Sequence, residues 1–449
     1  MQTTTSSAAY LAAHRFGWSE TSVRAIASDP QGWVLAQWRQ PQAPSAEGLA
    51  DSAQMWRMAQ DRRRAKRQNA RTDRQAGAPA TAMDERDALR QANLAALSSR
   101  WNHIVSTNTP VAERWVQFWA NHFCVSGTRG TVAPLVWAYE REAIRPHAFG
   151  SLFQLLRAAT LHPAMLLYLD NAQSIGPQSV AGQRREKGLN ENLARELLEL
   201  HTLGVNGGYT QADVTQTAQL LTGWTLSPQN DGRTVFVERA HQPGPKTILG
   251  RRYAQGPQAV DALLNDLVRH PATAQHLATQ LARHFVTDQP PADLVEAVAR
   301  TLRNTEGDLT ATAHTLFTHR QTWAEHPPKW KRPEEWVLSA HRLLKWPLER
   351  VPPTVALLTD MGQPPGRPPS PQGWADVESE WLSPHALWQR VRWAEAFARQ
   401  HGADADARML ADLSLGPLLS DTTRQELSRA ESGAQALALL LASPEFQRR

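Results

Sequence analysis

Apolar side chains recur at three- and four-residue spacing along most of the chain, the period of one helix face. The pattern is clear in "RDALRQANLAALSSRWNHIV", "VAERWVQFWANHF", "SLFQLLRAATLHPAMLLYL", "GLNENLARELLELHTLG" and "TQADVTQTAQLLTGW". It returns in "PQAVDALLNDLVRH", "ATAQHLATQLARHFV", "PADLVEAVARTLRN", "DLTATAHTLFTH", "PEEWVLSAHRLL", "HALWQRVRWAEAFARQ" and "SGAQALALLLASPEF". Stops are marked: Gly204 follows one periodic run, as a C-cap glycine does, and Thr210 with Asp213 forms a capping-box pattern before the next. Strand signals are few. "RTVFVERA" and "KTILGRRY", on either side of "HQPGPK", predict one short hairpin near 235–252. There is no βαβ alternation, no glycine-rich phosphate loop and no fixed-period repeat. The expected fold is all-α, a single large multi-helix domain with that one hairpin.

Composition shifts divide the chain further. Residues 1–55 read as an N-terminal helical part, 56–80 as a basic, flexible tract and 81–360 as the main helical domain carrying the polar motifs. Residues 361–374 read as a Pro-rich loop, and 375–449 as a C-terminal helical part packing on the main domain.

At 449 residues, with 41% hydrophobic and 20% charged residues, the chain is long enough for ample core and is globular rather than disordered. The net charge of +5 is local: Trp56–Gln75 holds eight Arg or Lys against two Asp, which leaves the remainder close to neutral. No recognised nucleic-acid module accompanies this tract, so a solvated helix is expected there and nucleic acid is not the expected partner. The single cysteine, Cys124, excludes an internal disulfide and any Cys-based metal cluster, leaving His, Asp, Glu and Asn as candidate ligands. No apolar run approaches a membrane span, and no cationic start precedes an apolar stretch, so the expected location is cytosolic. The seventeen tryptophans outnumber Tyr and Phe together and are expected to pack between helices.

The chemistry concentrates in "NENLARELLELHTLG", Asn190–Gly204. On a helical wheel Asn192, Glu196 and Glu199 form one ridge at i, i+4 and i+7, and Arg195 has Glu191 and Glu199 four residues to either side. Leu193, Leu197 and Leu200 share the apolar side, with His201 beyond them. Two readings stand. The polar ridge is either a solvated face laced with Glu–Arg pairs, or it is buried against other helices, where carboxylates one turn apart bind a metal or act as acid and base. His201, on an apolar flank, reads first as a buried, hydrogen-bonded histidine and second as a ligand. Upstream segments add Asn121 and His122 in "FWANHF", His147 in "RPHAFG", His162 before a proline, and Asp170–Asn171 closing an apolar run.

These segments, with "AAHRFGWSE", "HQPGPKTILG", "HFVTDQPP", "KRPEEWVLSAHRLL" and "GWADVESEWLSP", resemble in order and over nearly the whole chain the large bacterial family of unknown function DUF1800. The resemblance implies one mainly helical unit and no agreed reaction. It also implies an envelope setting, hence a periplasmic alternative location, and a DUF1501-like partner protein. In "HQPGPK" the family usually carries an acidic residue where this chain has Gln242. The family's motif positions fall here on His122, His147, Asp170, Asn171, Asn190, Glu191, Asn192, Arg195, Glu196, Glu199, His201, Asp213, Thr222, Gly223 and Trp224. A solvated face needs no such recipe, whereas a buried network does, because every buried donor and acceptor must be paired. With the resemblance, the buried reading moves ahead.

One expectation is therefore an enzyme between helices. Glu196, Glu199, His201 and Arg195 would be catalytic, and Asn192, Asn190, Asp170, Asn171 and His147 would bind substrate. His122, Glu196, Glu199 and His201 would ligate a divalent metal ion used in hydrolytic or oxidative chemistry. The other expectation is a non-catalytic helical scaffold for a DUF1501-like partner, in which the same residues form a structural polar core.

Overall fold

The helix Pro110–His122 is buried on every side from Pro110 to Trp119, which marks it as the central element. Its aromatic residues stack into the core, with Trp115 and Trp119 fully buried. Its buried charged residues each meet an opposite charge. Arg145 pairs with Glu113 at 2.7 Å, and Arg114 pairs with Glu335 at 2.6 Å. The computed structural model describes residues 7–72, 81–184, 188–326, 328–402 and 405–449.

Around this helix the chain builds a mainly α architecture. One hydrophobic core draws on Leu152–Leu161, Pro163–Tyr168, Gln211–Leu221, Gln258–Arg269, Pro271–Phe285, Ala292–Asn304 and Leu309–Thr318. A second core joins Thr81–Ser106 to Pro333–Leu343, Pro384–His401 and Gly433–Ala442. Trp101 and Trp336 lie at 0% exposure within it, so this core begins well before residue 375. Among the described residues no helix is long and apolar enough to cross a membrane.

Local chemistry explains the helix ends. Thr210 and Asp213 form the expected reciprocal capping box. His162, before Pro163, accepts the N–H of Ala164 on its own ring nitrogen, and His270 before Pro271 does the same for Ala272. The basic tract is helical over Ser52–Thr72, packed along Thr81–Ser106; residues 73–80 lie outside the described part.

Two small antiparallel pairs form, and their partners differ from the expected hairpin. Arg233–Phe236 pairs back onto Trp224–Ser227, and Lys246–Ile248 pairs forward onto Arg251–Tyr253 around Leu249 and Gly250, both at positive φ. The segment between them leaves the first ladder after Val237, whose N–H donates to Gly223 O at 2.8 Å, and its prolines lack the N–H donors to continue a strand. Backbone bonds from Gly176 and Ala181 and the Lys246 ammonium hold it: Lys246 donates to the carbonyls of Gln242 and Gly244 at 2.6 and 2.5 Å.

The Pro-rich stretch after Met361 is strapped along residues 121–128. Gly127 donates to Gly366 O at 2.8 Å, and the Ser126 hydroxyl donates to Pro368 O at 2.9 Å. Prolines keep their carbonyls, so this segment can accept bonds it cannot return. The strap ends at Trp374 and so delivers it to the site described next.

Candidate functional site

A cleft of about 520 Å³ opens where four segments meet. The end of Pro110–His122 supplies Phe118, Asn121 and His122, and the turn around Leu197–Thr202 supplies Glu199 and Leu200. Helix Pro271–Phe285 presents His276, Thr279, Gln280 and Arg283 along one ridge, and the strap adds Trp374 and Asp376.

The motif helix changes pitch here. Asn192–Glu196 is α-helical, but Leu197–Thr202 forms a π turn, in which each N–H reaches back five residues. The turn closes with Leu203 N–H on Leu198 O, leaving the next carbonyls without helical donors. Two imidazoles take them: His276 Nε2 lies 3.1 Å from Leu200 O, and His122 Nε2 lies 3.2 Å from His201 O. A carbonyl can only accept, so each Nε2 carries the proton and each Nδ1 keeps its lone pair. Burial holds both rings below the ordinary histidine pKa. Gly204 follows at φ +82°, where a Cβ would stand 2.9 Å from His276 Nδ1, so glycine is needed for both the turn and the ring.

Glu199 reaches the cleft and accepts a 2.9 Å hydrogen bond from the Tyr209 hydroxyl. Glu196 is half-buried one turn earlier; burial raises its pKa, and Glu199 adds to the rise. Opposite them, Asp376 Oδ2 lies 2.6 Å from His284 Nδ1, with Lys329 3.8 Å from Oδ1. Burial pushes the Asp376 carboxyl up, but His284 and Lys329 outweigh it and hold the group well below the usual carboxylate range.

Asn121 fixes the strap at this point. Its side-chain amide donates to Trp374 O at 3.0 Å and accepts from Trp374 N at 2.8 Å, as a strand partner would. Gly373, at φ +83°, lets the chain pass, since a Cβ there would lie 2.5 Å from Asn121 O. Gly373→Ala is expected to cost more than about 1 kcal/mol and to loosen Trp374. A lower melting temperature together with a changed near-ultraviolet tryptophan signal checks this, and an unchanged pair counts against it.

The predicted residues separate into three groups. Glu199 and His122 line the cleft. His201 stands directly behind it, at 1% exposure and edge-on to Phe123, and burial lowers its pKa to about 4. It is the expected buried histidine, but neither ring nitrogen has a hydrogen-bond partner among the described residues. The others serve the framework. Asn190 accepts the Asn192 N–H at 2.9 Å, and Asn192 itself is exposed. Arg195 donates to Gln211 at 2.8 Å and stands 3.5 Å from Glu191, tying two helices at the surface. Asp170 pairs with Arg129 at 2.6 Å. Asn171 donates to the carbonyls of Leu221 and Trp224 at 3.2 and 3.1 Å. His147 sits on the short turn Arg145–His147 and is not part of the cleft lining.

The expected metal shell of His122, Glu196, Glu199 and His201 is not assembled. Among the described residues no three His, Cys, Asp or Glu side chains are grouped to hold a metal ion. The physical reason is visible in the turn: His122 spends Nε2 on a carbonyl, Glu199 is engaged by Tyr209, and His201 is sealed behind the wall. The segment around "HQPGPK" is also a joint. His241 Nδ1 donates to Thr222 O at 2.8 Å, and His241 Nε2 accepts from Gly256 N at 3.1 Å. Gln242 exchanges hydrogen bonds with Gln178: its amide oxygen accepts from Gln178 N at 3.0 Å, and its amide nitrogen donates to the Gln178 side-chain oxygen at 2.8 Å. Asp213 accepts from Leu249 N at 2.7 Å in addition to capping its helix.

Sequence reasoning passed over His276, Arg283, Trp374 and Asp376. The i, i+3, i+7 spacing of His276, Thr279 and Arg283 on an amphipathic helix was the available signal for the first two. For the strap residues, no pattern along the chain marks their arrival at Asn121.

The model of a family described as a protein of unknown function (DUF1800) matches residues 11–448. No curated protein and no solved structure matches the chain.

Proposed function

Since the chain belongs to the DUF1800 family, whose description assigns no function, we propose from the cleft itself that it is an enzyme carrying out general acid–base chemistry, most simply hydrolysis, on a small polar ligand. The observation that carries this reading is the meeting of Glu199 and Asp376 with the neutral imidazoles of His122 and His276 around one cleft. Such a set of titratable groups with environments that differ is what proton transfer near neutral pH requires.

In this reading Glu199 exchanges the proton with the reacting group, and the Tyr209 hydroxyl orients its carboxylate. His122 offers Nδ1 as a second acceptor because its Nε2–H is committed to the turn. Asp376 stays ionised through His284 and Lys329 and binds a ligand donor. Glu196, one turn earlier and with its own pKa raised by burial and by Glu199, is a positioning residue.

The test is a panel of ester, amide and glycoside substrates with the intact chain, followed by Glu199→Gln. Turnover is expected to fall roughly 10²- to 10⁴-fold, with the melting temperature nearly unchanged because the amide still accepts from Tyr209. Turnover that survives Glu199→Gln and His122→Asn at full rate would overturn the assignment.

A further inference from the structure

The cleft contains one fixed charge that the fold does not use. Glu199 is engaged by Tyr209, and Asp376 by His284 and Lys329. His122 and His276 are kept neutral. Arg283 is different. Its Nε makes a long 3.4 Å bond to Asp288 O, and the described residues offer its two terminal nitrogens no acceptor and no carboxylate. A guanidinium left unpaired in a concave site is suited to a planar anionic group, which it grips with two parallel N–H bonds.

The rest of the lining specifies what carries that anion. Trp374 is half-buried, and Asn121 pins its backbone on both sides, which fixes where the residue joins the cleft lining. An aromatic face with a polar edge suits a ligand that is apolar on one side and polar at its rim. The side-chain amides of Gln275 and Gln280 line the cleft, and among the described residues neither amide is engaged by a hydrogen bond. An amide both donates and accepts, and so does a hydroxyl. A lining with an aromatic wall, free amides and one free guanidinium therefore matches a ring bearing many hydroxyls and one acidic substituent. The volume of about 520 Å³ lies within the range of small-molecule sites.

We infer that the ligand of this cleft is an acidic carbohydrate, with its carboxylate or sulfate on Arg283 and a sugar face on Trp374. The inference rests on the reading above that this cleft is the working site. It adds the ligand class and assigns two binding residues, Arg283 and Trp374.

The experiment is calorimetric titration of the full chain with a tri-uronate, a sulfated trisaccharide and a neutral trisaccharide, and with tri-glutamate as a non-sugar anion. An acidic trisaccharide is expected to bind at least about 10-fold more tightly than the neutral one, the worth of roughly 1.4 kcal/mol. Which acidic trisaccharide binds tighter identifies the anionic group. Arg283→Gln is expected to erase that preference while leaving the weak neutral binding, and Trp374→Ala to weaken every sugar about 10-fold. The inference is overturned by equal affinity for tri-glutamate, by absence of binding at millimolar ligand, or by acidic-sugar binding that neither variant disturbs. The two readings fail separately. Sugar binding with no turnover sensitive to Glu199→Gln removes the enzyme and keeps the ligand, and turnover of a non-sugar substrate does the reverse.

Discussion

Lowering the pH from 7 to 5 is expected to remove several kcal/mol of stability, before any of the paired carboxylates is protonated. The cause is a set of histidines that the fold buries uncharged. Burial lowers His201 and His341 to about 4, and it pulls His14 and His122 well below the ordinary value. In the unfolded chain all four return to the usual imidazole pKa, near 6.5. Their folded pKa is therefore depressed, so the stability they permit is complete above about pH 6.5 and declines as the pH falls toward the folded values. His201 and His341 each contribute a loss of roughly 2 kcal/mol between pH 7 and 5, and His14 and His122 act in the same direction. The summed loss is a sizeable part of the stability of a typical domain, about 5–15 kcal/mol.

The carboxylates do not share this window. Glu113 is pushed up by burial but pulled far down by Arg145, and Glu335 likewise by Arg114 and Arg449. Their contribution is intact above the unfolded carboxylate pKa of about 4.3 and is lost only as the pH falls through the lower folded values. Melting temperatures at pH 7, 6 and 5 check the prediction, and a proton uptake of more than one on unfolding at pH 5.5 should accompany it. A melting temperature that is flat across this range would show that the imidazoles are not held neutral.

The second large effect is expected from Glu335→Gln. Glu335 is the carboxylate on which Arg449 and the central helix converge: Arg114 Nη1 lies 2.6 Å away and Arg449 Nε 2.8 Å away. Around it lie the fully buried Lys331, which donates to the Ser19 hydroxyl at 2.8 Å, and Arg390, which lies over the rings of Trp330 and Trp336. Arg449 is further tied by paired backbone bonds to Lys329 and by its Nη2 to His284 O. Removing the negative charge leaves several cations buried among one another, in a medium where charge is costly. The expected loss is about 3–5 kcal/mol, the range for breaking one side of a buried pair. Glu191→Gln is the matched control. Glu191 serves the outer network with Arg195, Gln211 and Thr215, where a pair contributes about 0–1 kcal/mol. Chemical unfolding midpoints of the two variants should therefore differ widely, and equal midpoints would refute the central role of Glu335. Because Arg449 also bonds to His284 O, a partly folded Glu335→Gln is expected to disturb the cleft through the His284–Asp376 pair.

Much of this architecture is legible along the chain, because helices announce themselves by period and their ends by caps. The runs ending at Gly204 and beginning at Thr210 were placed by their own residues, and Thr210 with Asp213 formed the capping box their spacing implied. The concentration of Glu, Asn, Arg and His in Asn190–Gly204 is also legible along the chain, and one of its residues, Glu199, lines the cleft. It could not say which polar residues would be covered. A helical wheel fixes the phase of side chains around one axis but contains no neighbour. Asn192 and Arg195 turned outward to water and to Gln211, while Glu199, on the same ridge, met a cleft. The wheel also assumes a constant pitch, and the π turn at Leu197–Thr202 breaks it. The freed carbonyls of Leu200 and His201 are what draw His276 and His122 to the wall.

The sequence by itself thus determined the helical class, the absence of any cysteine chemistry beyond Cys124 and many of the helix ends. These depend on interactions between residues a few positions apart, which the order of residues states directly. Tertiary structure alone decided which residues line the cleft. His276, Arg283, Trp374 and Asp376 arrive from segments that follow the motif helix by tens to well over a hundred positions. Whether a polar side chain is solvated, paired or left facing a cleft is set by the surface packed against it, and that surface exists only once the chain has folded.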